Sequence, residues 1–88
     1  MKKISADKAY NLSRKSNIKN QLNLAFEEIK NRAKLGDYQA KIPIIDEMKH
    51  ELGTEINRAV FNKLISLGYR MGSTESGIIR NIFWKPKN

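Results

Sequence analysis

Apolar residues recur along this chain with two different periods, and the change of period marks its organisation. Over 54–68, Ile56, Val60, Phe61, Leu64, Ile65 and Leu67 fall at helical spacing, while Glu55, Arg58, Asn62 and Ser66 take the opposite side. That pattern predicts an amphipathic helix. Thr54 is placed to cap its start, Glu55 suits its positive end, and Gly68 is the expected left-handed stop. From Tyr69 the period shortens. Residues 69–72 and 78–84 are rich in β-branched and aromatic side chains and flank the turn-forming stretch 72–77, which predicts a β-hairpin.

Upstream, Ile18, Leu22, Ala25, Phe26, Ile29 and Ala33 repeat every three or four residues, predicting a helix over 17–35 that stops at Gly36-Asp37. Residues 1–15 hold Ile4, Ala6, Ala9, Tyr10 and Leu12 among lysines, the pattern of a weaker helix capped by Ser5. The two segments could form one long helix, but the apolar stripe does not run in phase from Ile18 back to Leu12, so a break or kink near 13–16 is expected. Tyr38, Ala40, Ile42 and Ile44 alternate with Gln39, Lys41 and Pro43 as in a half-buried strand. Pro43 cannot donate to a ladder, so that strand is expected at an edge or to end there. Ile45, Met48 and Leu52 then suggest a short helix or helical turn before Gly53.

These elements give an α+β fold: an N-terminal helical segment, then helix, strand, short helix, helix and β-hairpin. One domain over 1–88 is expected, with a basic segment 1–15, a core 17–85 and a tail 86–88. The element order over 17–85 resembles the winged-helix layout, which implies that 54–67 is a recognition helix and 72–77 the wing. The alternative is two helices packed on a small three-stranded sheet. The Leu67-Gly68-Tyr69 junction and the closing Phe83-Trp84 pair also resemble short proteins of tailed bacteriophages. That likeness implies a host-cytoplasm setting and supplies no active site.

Composition narrows the function. With 88 residues and no cysteine, neither a disulfide framework nor a thiolate metal site can supplement a small core. The lysines at the start precede no apolar run, and no stretch reaches the ~20 apolar residues of a membrane span, so a cytoplasmic protein is expected. Seventeen Lys and Arg against nine Asp and Glu give +8. Residues 1–20 carry six positive and one negative side chain (+5), 56–88 again six and one (+5), and 41–55 two and four (−2). A chain basic at both ends and acidic between them can present a basic face to a polyanion. Excess lysine also serves solubility alone.

Candidate chemistry is sparse. Asp46 and His50 stand four apart and could share a helix face as metal ligands, but two ligands do not make a site. Adjacent Glu27 and Glu28 point in different directions on a helix, and 72–77 lacks the lysine and the helix that would follow a phosphate loop. No catalytic residue, metal or cofactor is therefore assigned, and the chain is read as a non-enzyme. The expected function is nucleic-acid binding, DNA in preference to RNA. The expected contacts are Arg58, Asn62 and Lys63 on the second long helix, Arg70 and Arg80 on the hairpin, Lys85 after it, and Arg14, Lys15 and Lys19 near the N-terminus. Arginine and asparagine can address base edges, whereas lysines mostly meet phosphates. Phe83 and Trp84 alternate faces, with Trp84 assigned to the core and an exposed aromatic marking a stacking or docking position. The alternative function is an inhibitor or accessory factor that docks on a host protein.

Overall fold

The computed structural model describes residues 3–84. In chain order the elements are α1 (Ala6–Lys34), β1 (Gln39–Pro43), α2 (Gly53–Ser66), β2 (Arg70–Glu75) and β3 (Ile79–Phe83). The fold is α+β, with both helices packed on a three-stranded antiparallel sheet of order β1-β3-β2. Pro43 stands on the edge strand β1, where its missing N–H costs no ladder bond. No helix among the described residues is long and apolar enough to cross a membrane.

The core lies between the helices and one face of the sheet. Ala25 and Ile29 of α1 meet Ala40 and Ile42 of β1, Ile82 of β3, and Ile56, Val60 and Leu64 of α2. Phe26, Phe61, Tyr69 and Trp84 close its margin half-buried. The Tyr69 and Trp84 rings stand edge to face, with centroids 6.1 Å apart, an arrangement the ring quadrupoles favour.

Three local expectations are corrected, and a fourth is narrowed. The break expected near 13–16 is absent, and α1 runs unbroken for 29 residues, capped by the Ser5 hydroxyl accepting from the Lys8 N–H. Nothing between Ser5 and Leu35 is Gly or Pro, so the backbone has no reason to stop. The lost phase at Leu12 records only that the first turns leave the core, where Ile4, Tyr10 and Leu12 are exposed.

Of the short helix or helical turn expected before Gly53, the structure has the second form, a run of turns. The side chain of Asn57, buried in α2, takes the place of a backbone partner for this segment. Its carboxamide oxygen accepts from the Ile45 N–H at 3.1 Å and its nitrogen donates to the Ile45 carbonyl at 2.8 Å. Asp46 and His50 cap the turns by accepting from the N–H groups of Met48 and Leu52. α2 starts at Gly53, without Thr54 as its cap. A Cβ on Gly53 would lie 3.0 Å from Glu47 Cα and 3.2 Å from Ile45 Cγ2, so the loop packs against the helix more tightly than a side chain here would comfortably allow. The Thr54 hydroxyl instead donates to Glu47 Oε1 at 2.6 Å. That bond, seconded by the Asn57 amide, holds the Glu47 carboxyl below its ordinary value.

The hairpin turn is narrower than 72–77. Ser76 and Gly77 both have positive φ, 56° and 71°, within a three-residue connection, 76–78, between the paired Glu75 and Ile79, and Ser73 to Glu75 remain in β2. Gly72 sits at a ladder irregularity between Met71 and Thr74, where the Phe83 ring lies on it. A Cβ there would collide with Phe83 Cε2.

Candidate nucleic-acid interface

The fold separates the predicted contacts into engaged and open groups. Arg14 forms a 2.6 Å ion pair with Glu55, and Glu55 also accepts from the Tyr10 hydroxyl at 3.0 Å. This joins the first turns of α1 to the start of α2. The Glu55 bond holds the Tyr10 phenol above its ordinary value, because the neutral hydroxyl is the donor. Arg80 donates to the Gly72 carbonyl at 2.8 Å, and its guanidinium lies 4.7 Å from the centroid of the Phe61 ring. It braces the hairpin against α2 and is half-buried.

Arg58, Asn62 and Lys63 are exposed on α2 as expected, but their setting is mixed. Glu55 lies on the same outward side, and Arg58 is close enough to Glu47 to help lower its pKa. Arg70 is exposed at the start of β2, directly across from Phe83. Lys85 lies outside the described residues.

Lys15 and Lys19 belong to a larger feature. At about 100° per residue, Lys8, Lys15, Lys19, Lys30 and Lys34 fall within an arc of roughly 100° on α1, on the side away from Tyr10 and Arg14. All five are exposed, and none makes an ion pair among the described residues. At ~1.5 Å per residue the row spans about 39 Å from Lys8 to Lys34. Glu27 stands at its margin and is its nearest acidic residue along the helix. The other acid of this helix's second half, Glu28, is occupied on another side, where Arg32 pairs with it at 3.1 Å and with Asp37, beyond the helix, at 3.6 Å.

Lys8, Lys30 and Lys34 are not among the contacts expected from the sequence, and the last two lie outside the two basic ends of the chain. The residues 21–40 have zero net charge, which conceals the sorting of cations and anions onto different sides of the helix. The signal was the spacing 8, 15, 19, 30, 34 taken on one unbroken helix.

Among the described residues no group of three or more His, Cys, Asp or Glu is placed to hold a metal. The Lys41–Glu75 pair, 3.1 Å apart, spans β3 with Asn81 between its members, and Glu75 is held below its ordinary pKa by Lys41 and Asn81. The chain matches no protein-family model, and comparison with curated proteins and with solved structures finds no match.

Proposed function

We propose that this chain is a small, basic, non-enzymatic nucleic-acid-binding protein, taking DNA in preference to RNA, that works in the cytoplasm of the cell that holds it. The observation that carries this reading is the lysine row on α1: five exposed ammonium groups with no acidic partner among the described residues, on one unbroken helix. Phosphate contacts of this kind supply affinity without sequence preference. Arg58 and Asn62 on α2 add side chains of the type that address base edges. The helix leading directly into a hairpin is compatible with the winged-helix resemblance, in which such a hairpin flanks the contact helix.

Counterion release provides the test. If all five lysines meet phosphates of duplex DNA, log K should fall with log salt at a slope near −4.5, from ~0.9 per contact. The double variant Lys15→Glu/Lys19→Glu should weaken binding to every sequence and reduce that slope by about 2. Circular dichroism should be unchanged, since both positions are exposed. Binding that ignores salt, or a double variant that binds as the parent does, ends this reading.

The second reading is an inhibitor or accessory protein, phage-encoded, docking on a host protein. It is favoured by Ile65 and Leu67, both 53% exposed at the end of α2. Under that reading Ile65→Ala weakens partner affinity as a hot spot, and the lysine substitutions have little effect.

A further inference from the structure

On the sheet face turned away from the core, Gln39, Phe83 and Arg70 stand side by side across the three strands. Their neighbours Ala40, Ile82 and Met71 face the other way, toward the core. The Phe83 ring lies against β2 over Gly72, which has no Cβ to hold it off. A cleft of about 340 Å³ opens here, lined by Gly36, Asp37, Tyr38, Gln39, Arg70 and Phe83. Tyr38 is 57% exposed at its rim, and Lys34, the last lysine of the α1 row, lies two residues before Gly36.

We propose that this cleft is a base-stacking site for single-stranded nucleic acid, with one nucleobase seated against Phe83 and Tyr38. This rests on the nucleic-acid reading above and names its substrate class. A base is flat, and every base has a π-face that an aromatic side chain accepts whatever the sequence. Its polar edge meets the Gln39 carboxamide, which can pair with amino, imino and carbonyl groups. Arg70 supplies positive charge on the β2 side, complementary to the phosphate that follows the base. A duplex cannot use such a site, because its bases are stacked inside and their faces are not offered.

The test compares three probes of equal length at low salt by fluorescence anisotropy: a single-stranded oligothymidylate, the same backbone without bases, and a blunt duplex. The protein should bind the oligothymidylate more tightly than the abasic strand by roughly 5- to 150-fold, the range for one stacked base. Phe83→Leu should remove that preference while leaving abasic affinity unchanged, and Phe83→Tyr should keep it. Should Phe83→Leu fail to fold, Tyr38→Ala at its exposed rim position carries the test, with a partial loss of the preference expected. Equal binding of the two strands overturns the stacking site and leaves the nucleic-acid reading standing, as does a duplex preference insensitive to Phe83 and Tyr38. If no probe binds, the nucleic-acid reading fails and the stacking site with it.

Discussion

The two helices of this protein are held by different forces. α2 has 14 residues and buries five of them, including Ile56, Val60 and Leu64, with its apolar stripe facing the sheet. α1 is twice as long and buries only Ala25 and Ile29. Its first turns stand beyond the core and touch α2 through Tyr10, Arg14 and Glu55. α1 is therefore helical largely through unbroken propensity, capping and a polar clasp, whereas α2 is helical because packing requires it. The contrast explains why the open cations collect on α1: a helix that need not bury its sides can devote one of them to charge.

Truncation should show the contrast at its largest. Leu64→Ala removes a side chain with no exposed surface and should cost about 2–5 kcal/mol, enough to unfold much of so small a domain. Leu12→Ala, at a half-exposed position on α1, should change stability by less than about 0.5 kcal/mol. Thermal melts of the two variants measure both, and equal losses would show that the first turns of α1 belong to the core after all.

A smaller effect is expected at the seam between α2 and the loop before it. Asn57→Ala leaves the N–H and C=O of Ile45 without partners and should cost about 1–3 kcal/mol in urea denaturation. Glu47 in the same seam makes it acid-sensitive. Its folded pKa is lowered, so its contribution is full above about pH 5 and is lost as the pH falls from there through the lowered value. Glu47→Gln should flatten the stability profile in that window, and an unchanged profile would assign the acid sensitivity to other carboxylates such as Glu75.

The smallest effect belongs to the clasp. Glu55→Ala releases Arg14 and Tyr10 together, and because the Arg14–Glu55 ion pair is solvent-accessible, breaking it should cost at most about 1 kcal/mol of global stability. Amide exchange should report it more clearly, with faster exchange in the first turns of α1 and no change in α2. Faster exchange throughout α2 would mean that the clasp also supports the core helix.

Much of this architecture was legible in local pattern. The 3.6-residue spacing of Ile56, Val60 and Leu64, the alternation of Ala40 and Ile42, and the β-branched run at 78–82 each report a burial periodicity that a chain of this composition can satisfy in only one way. Pro43 even placed its strand at an edge, since a residue without an N–H cannot sit between two partners. Exposed charge on α2 followed from the same periodicity. Other features depended on contacts between segments distant in the chain. Asn57 interrupts an apolar stripe, which marks it as unusual, but only the approach of Ile45 explains it. Arg14 and Arg80 read as free cations until tertiary packing brought Glu55 to one and the Gly72 carbonyl and Phe61 ring to the other. The sequence by itself determined which side chains seek burial and which seek water, because period and polarity are local properties. Tertiary structure decided which charges remain open and which aromatic ring is laid on a glycine, because pairing and close approach are set by where distant strands and helices meet.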